Sequence, residues 1–327
     1  MKILVSEFIT GGGLAGQALP ESLFREGEMM LAALLSDLQE ITHVDLYITR
    51  DARLSLKDFP GRINCYPVEG DYIGRFREYC LGVDAVFPIA PETDNVLEKV
   101  SAVVLEEGKR LLGSSPAAIQ LTASKMATAK LLAERQIRVV ETRLFSELVE
   151  PWYSDTGWIV KPDQGVGCDH VFYCESEDEI RCVAAKCKNP VVQPKLNGIH
   201  GSLSMLCHMG QGVVIGYNEQ IIEMQNHCLH YAGTKVNALT EFRDQLDELA
   251  ASICAVLPGL EGYVGVDVLI RDNEAIVMEI NPRMTTSYAA LGKSMGQNPV
   301  QLLFDLFFER KLPEIDPSRF KPVEVRI

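Results

Sequence analysis

"VMEINPRMTTSY", residues 277–288, decides how this chain is read. Val277 to Ile280 form an apolar, strand-like run, yet the run carries Glu279 and ends in Asn281, Pro282 and Arg283. Just upstream, "VGVDVLI" (264–270) is a second strand-like run, and "RDNE" (271–274) between them is a turn sequence, so a β-hairpin is expected. With the turn centred on Asn273, Asp267 falls opposite Glu279, and Asn281 shares their face because side chains alternate along a strand. Two carboxylates and an amide then converge. Opposed like charges on a sheet repel, so the arrangement asks for a cation. Asp267, Glu279 and Asn281 are hard oxygen donors, which suit Mg²⁺ (or Mn²⁺) bridging phosphates better than zinc. The competing reading is a solvated hairpin face whose carboxylates point at water.

Working back along the chain, "WIVKPDQGVGCDHVFY" (158–173) reads as a strand, a glycine-bearing turn and a second strand, with Lys161 near the end of the first. Gly165 and Gly167 leave room for a ligand close to the backbone, and a lysine beside exposed backbone N–H groups suits a polyphosphate. Ser115 and Pro116 make an N-cap and first-turn pair for one helix over "AAIQLTASKMATAKLLAERQI" (117–137), which carries Lys125. Ser176 and Glu179 form a capping-box pair for a further helix. "VVQPKLNGIHGSLSMLC" (191–207) comes next as an extended segment whose ladder Pro194 interrupts, leaving backbone groups for an adenine edge or marking an ordinary edge strand.

The first third alternates strands ("KILVSEFI", "HVDLYIT", "INCYPV", "DAVFPIAP") with helical stretches such as "ESLFREGEMMLAALLSDL", the pattern of a parallel sheet covered on both faces. Its carboxyl ends carry Thr10 to Gly13 and Pro91 to Asn95, where such sheets bind ligands. Gly11, Gly13 and Gly16 fit G-x-G-x-x-G, which raises a nicotinamide-dependent oxidoreductase. Against it, the better first-turn residue, Pro20, lies beyond the glycines and Asp51 comes too late for a ribose contact. A flexible loop competes with the dinucleotide site.

Composition narrows the classes. The 327 residues carry a formal charge of −14 with no basic stripe, which argues against nucleic acid. The longest apolar runs are too short to span a bilayer and "MKILVSEFITGGG" lacks a signal-peptide pattern, so a cytoplasmic protein without membrane partners is expected. The nine cysteines form no C-x-x-C pair or zinc spacing and read as reduced and mostly buried.

The order of these parts resembles the ATP-grasp superfamily of carboxylate–amine ligases over about residues 116 to 290, most specifically in "GVDV…EINPR". The resemblance implies an α/β (α+β) fold: a Rossmann-like pre-ATP-grasp domain over 1–115, a small subdomain over 116–190 and a C-terminal subdomain over 191–327. It makes Lys125 and Lys161 phosphate-binding lysines, "DQGVGCDH" the flexible loop, and Gln193, Pro194, Lys195 and Leu196 the adenine hinge. Asp267, Glu279 and Asn281 become the magnesium ligands, and Arg283 faces the transferred phosphoryl group or the developing tetrahedral centre. Where such hinges usually place a ribose-binding Glu, this chain has His200, which leaves ribose contact or nucleotide preference open.

"APETDN", "GYVGVDV" and "EINPRMTTSY" resemble more closely the tyramine–L-glutamate ligase family of methanofuran biosynthesis, shared in modified form by methylotrophic bacteria. This closer resemblance implies an ADP-forming ligase using ATP and Mg²⁺ through an acyl phosphate, with small carboxylate and amine substrates, and it allows a homodimer. Glu92, Asn218 and Gln220 are candidate substrate contacts, each with an ordinary explanation as a helix-start or loop residue. Cys168 reads as a wet loop cysteine without a catalytic part. An ATP-binding protein without turnover stays open beside the ligase.

Overall fold

The apolar run near the amino terminus becomes the centre of a parallel sheet. The computed structural model describes residues 1–55, 59, 61–148, 154–168 and 170–327. Strand β1 (Lys2–Glu7) is followed by helix α1 (Glu21–Gln39), β2 (Asp45–Asp51), β3 (Ile63–Val68), α2 (Tyr72–Leu81), β4 (Ala85–Ile89), α3 (Val96–Glu106) and β5 (Arg110–Leu111). All pairings are parallel, in the order β3-β2-β1-β4-β5. The direction of winding switches between β1 and β4, where ligands of such sheets gather. Helix α1 is amphipathic, and its Leu31, Leu34, Leu35 and Leu38 are fully buried in a core shared with Ile3 and Val5 of β1.

The expected single helix after Ser115 is two. Helix α4 (Pro116–Ala123) ends at Ser124, whose extended backbone (ψ 116°) breaks the ladder, and α5 (Lys125–Glu134) starts anew with the Ser124 hydroxyl accepting from the Ala127 N–H. Asp163 holds the second start in place: its carboxylate accepts the Met126 N–H at 2.8 Å and its carbonyl the Lys125 N–H at 3.1 Å. The break sets Lys125 on the first turn of a helix aimed at the neighbouring sheet. The chain continues through β6 (Arg143–Leu144), β7 (Trp158–Pro162), β8 (Phe172–Cys174), α6 (Glu177–Ala184) and β9 (Pro190–Pro194). Ser176 caps α6 as expected, while the Glu179 carboxylate reaches past it to the Glu175 N–H at 2.8 Å. A division at 190/191 would separate the first residue of β9 from a strand that pairs with β6 and β7.

The remaining elements are β10 (Ile199–His208), β11 (Gln211–Gln225), β12 (Cys228–Val236), α7 (Arg243–Val256), β13 (Gly262–Arg271), β14 (Glu274–Asn281), α8 (Tyr288–Met295), α9 (Pro299–Phe304) and β15 (Val323–Arg326). Strands β10 to β14 pair antiparallel, and a Cys228–Phe172 bridge joins them to β8, so one ten-stranded sheet runs through both parts. Helix α8 packs back on α1, with the Tyr288 hydroxyl donating to Asp37 at 2.7 Å.

The hairpin forms by a different route from the one expected. Its turn is the two-residue pair Asp272–Asn273, both left-handed (φ 53° and 59°), as type I′ requires. That turn alone would set Met278 opposite Asp267. A β-bulge shifts the register between Asp267 and Val268, so Glu279 becomes the partner of Asp267 and Asn281 that of Gly265.

Candidate active site

A cleft of about 410 Å³ opens between the β7–β9 strands and the β10–β14 strands, within the range of ligand sites. Because of the bulge, Met278 and Glu279 both face it. Lys125, Lys161 and Gly165 line one end together with Asp267 and Glu279, and Gln193, Pro194, Lys195, Leu196 and His200 line the other. Sequence reasoning misses the apolar walls: Ile222 and Met224 succeed Gln220 at the two-residue spacing of β11, and Leu229, Leu269 and Ile159 complete them. That spacing is the signal that could have found them.

At the charged end, Glu279 Oε2 lies 3.4 Å from Lys125 Nζ and 3.8 Å from Lys161 Nζ, and Lys125 Nζ donates to the Gly165 carbonyl at 3.2 Å. Burial disfavours the Glu279 carboxylate, but the fields of Lys125 and Lys161 outweigh it and hold the group below its ordinary range. Asp267 goes the other way. Burial, and then the Glu279 charge beside it, push its carboxyl up, although it accepts from Gln220 Nε2 at 2.9 Å and Asn281 Nδ2 at 3.4 Å. Lys161 is pulled down by burial. Two carboxylates with opposite tendencies on adjacent strands lack positive charge at Asp267, and with the Asn281 amide they supply an oxygen set that fits Mg²⁺.

The hinge side chain Gln193 is buried, with Nε2 donating to Thr142 Oγ1 at 2.9 Å and Oε1 left without a partner among the described residues. It is an acceptor for a base at this wall. His200 stands over the same cleft, its imidazole pulled down by burial and then by Lys195. Gly167 (φ 64°) permits a left-handed turn, whereas a Cβ on Gly165 would meet only ordinary contacts. Asp169 of this loop lies outside the described residues. Cys168 is half-buried rather than wet, and burial pushes its thiol up to about 12, so it holds no ready thiolate.

Arg283 leaves the hairpin toward the first domain. Its Nε lies 3.0 Å from Glu92 Oε1 and 3.2 Å from Oε2, and its Nη1 donates to the Met284 carbonyl at 3.1 Å. Burial opposes the guanidinium charge, but Glu92 secures it. Glu92, itself buried, thus fixes an arginine across the domain boundary. Gln220 faces the cleft, while Asn218 is sealed behind it, donating to Ser204 Oγ at 3.1 Å and accepting from the Asn237 N–H at 3.2 Å. Ser287 does not cap α8 with its side chain; its hydroxyl joins Ser204 and Thr285 in a buried network.

Of the motif glycines after β1, Gly11 and Gly13 are packed, while Gly16 (φ 81°) has open space around it. A Cβ on Gly11 would fall 2.2 Å from the Glu7 carbonyl oxygen, and one on Gly13 would fall 2.2 Å from the Phe8 ring. Four of the loop's N–H groups are already used: Ile9 and Thr10 donate to the Glu7 carboxylate, Gly11 to the Glu7 carbonyl and Gly13 to that of Phe8. Those four are not free to cradle a pyrophosphate.

No helix among the described residues is long and apolar enough to cross a membrane. The sequence profile of the ATP-grasp domain matches residues 122–287, more than half of the chain, and that of the pre ATP-grasp 3 domain matches residues 44–119. The tyramine–L-glutamate ligase of Methanocaldococcus fervens is 25% identical over 83% of this chain and 84% of its own. That of Methanocaldococcus jannaschii is 23% identical over 88% of this chain and 84% of its own. A crystal structure described as an ATP-grasp superfamily protein from Archaeoglobus fulgidus superposes with a TM-score of 0.72 at 24% identity, covering 96% of this chain and 90% of that one.

Proposed function

We infer the activity from one premise: the chain belongs to the ATP-grasp family, and it is an ATP-dependent carbon–nitrogen ligase. Within that class we propose that it joins L-glutamate to tyramine, tyrosine or a related amine, as in methanofuran or methylofuran assembly. The observation that carries the reading is the convergence of Lys125, Lys161, Asp267 and Glu279 at one end of a cleft whose other end is an apolar, hinge-lined slot. The names of the two Methanocaldococcus relatives support the substrate pair.

In the proposed reaction a substrate carboxylate oxygen attacks the ATP γ-phosphorus and ADP leaves. The amine nitrogen then attacks the acyl carbon, phosphate leaves, and the nitrogen gives up a proton as the amide forms. Ile222, Met224, Leu229 and Met278 would enclose the adenine base, and Gln193 Oε1 would accept from it. Lys125 and Lys161 would bind the polyphosphate in place of Glu279, and Glu279, Asp267 and Asn281 would hold Mg²⁺. Bound there, the metal supplies charge neutralisation on the phosphate oxygens. Arg283, oriented by Glu92, faces the transferred phosphoryl group or the tetrahedral centre. The catalytic contribution of these groups is positioning and electrostatics.

The test is ADP release with Mg²⁺ and ATP across a panel of carboxylates and amines, products weighed by mass spectrometry. Release that needs both glutamate and a phenolic amine, with a product equal to their sum less water, is the expected result. Release with another pair only would discard the substrate assignment.

A further inference from the structure

Among the described residues, Glu26 of α1 forms no ion pair. Four acids near it at the carboxyl edge of the first sheet are engaged: Glu7 accepts from Ile9 and Thr10, Glu28 pairs with Arg50, Asp51 with Arg53, and Glu92 with Arg283. Glu26, in the second turn of α1, has only the Ser22 hydroxyl, 3.3 Å from its Oε1, among the described residues. It does not face bulk solvent freely. Its Oε1 is 3.9 Å from where a Cβ on Gly167 would stand, so the glycine turn lies against it. Burial pushes its carboxyl up, the Arg283 charge pulls it back, and its own charge is felt at Cys168 and Tyr231. The group therefore lies against the glycine turn, whose neighbours Gly165, Val166 and Cys168 line the cleft, and is near enough to Arg283, Cys168 and Tyr231 for its charge to be felt there.

We propose that Glu26 receives a primary ammonium group of a substrate, so that α1 of the first domain completes the ligase site from across the cleft. This rests on the ligase reading. Its physical ground is charge and position: Arg283 spends its direct contact on Glu92 and reaches Glu26 only through its field, and Lys125 and Lys161 are committed to Glu279 or to phosphates, so none of these cations pairs with Glu26 in contact. A substrate ammonium held there would give a charge-assisted hydrogen bond in a partly desolvated place. The ammonium is either the α-amino group of the carboxylate donor or the acceptor amine before its deprotonation. Nothing local in the sequence marks Glu26, which reads as one polar position of an amphipathic helix.

The experiment compares the wild-type enzyme with Glu26→Gln and Glu26→Asp, using the substrate pair that the panel identifies and measuring KM for ATP, donor and acceptor separately. Glu26→Gln keeps the shape and removes the charge. The expected result is a rise of about tenfold to a hundredfold in KM for one ammonium-bearing substrate, with KM for ATP within about twofold and partial recovery in Glu26→Asp. The donor arm adds glutarate, which lacks the ammonium of glutamate. If the donor is the ligand, wild type and Glu26→Gln handle glutarate alike; if the acceptor is, only the amine KM moves. Unchanged KM values for both substrates, or an equal loss with glutarate and glutamate without a change for the amine, would overturn the role of Glu26 and leave the ligase standing. Absence of wild-type turnover with every pair would sink the ligase reading and this proposal with it.

Discussion

Replacing Glu279 with Gln separates the two roles given to this residue. In the ligand-free protein its carboxylate lies 3.4 and 3.8 Å from two buried ammonium groups. At an effective dielectric near 20 each contact is worth about 4–5 kcal/mol of attraction, most of it offset by desolvation and by the repulsion between the lysines. Removing one member of a buried charge group costs about 3–5 kcal/mol, because the others are left uncompensated. The ligand-free variant should therefore melt at least about 5 °C lower. A polyphosphate should restore more stability to the variant than to the wild type, since Lys125 and Lys161 no longer have to leave a partner. Turnover, in contrast, should fall at least about a hundredfold, because a metal ligand has gone. Thermal melts with and without ATP, beside a coupled assay for ADP, read both effects. An unchanged melting temperature together with near-normal turnover would refute the assignment of Glu279 to both the lysines and the metal.

Neighbouring groups give two more expected outcomes. Glu92→Gln should lower kcat by at least about tenfold while KM for ATP changes little, because Arg283 loses the charge that orients it; unchanged kcat would remove the positioning role of Glu92. For Asp267, whose carboxyl is raised by burial and by Glu279 to about 8, the folded metal-free protein holds a proton over a range where the unfolded chain has lost it. Its contribution to stability is present at low pH and is lost progressively as pH rises from the ordinary carboxyl range to the raised value, so the metal-free melting temperature should fall as the pH is raised toward about 8 and level off above it. Mg²⁺ with ATP should release that proton and flatten the slope, which calorimetry in buffers of different ionisation enthalpy measures; no proton release would count against Asp267 as a ligand.

Local pattern makes much of this architecture legible, and the exceptions have physical causes. Alternation of apolar strands and amphipathic helices is enough for the parallel sheet, and the "RDNE" turn for the β13–β14 hairpin. The pairing of Asp267 with Glu279 emerges from two compensating features, a two-residue turn and a one-residue bulge, neither separately visible in the residues. Helices α4 and α5 read as one because Ser124 is tolerable within a helix; the break is supported from a distance by Asp163. Asn218 and Gln220 share a strand and a sequence context, yet only Gln220 reaches the cleft, since depth along a strand depends on what packs over it. The Arg283–Glu92 pair joins residues 191 positions apart, and no local signal foretells such a contact. Gly11 and Gly13 match a dinucleotide motif by spacing, while their missing side chains serve contacts with Glu7 and Phe8.

The central claim is that a carboxylate is activated by phosphoryl transfer at the Lys125–Lys161–Glu279 end of the cleft. The direct measurement uses a donor carboxylate labelled with ¹⁸O on both oxygens and follows the label into inorganic phosphate by mass spectrometry during turnover. Transfer of one labelled oxygen to phosphate for each amide formed is the result expected of an acyl phosphate. Amide formation with all of the phosphate unlabelled would contradict it.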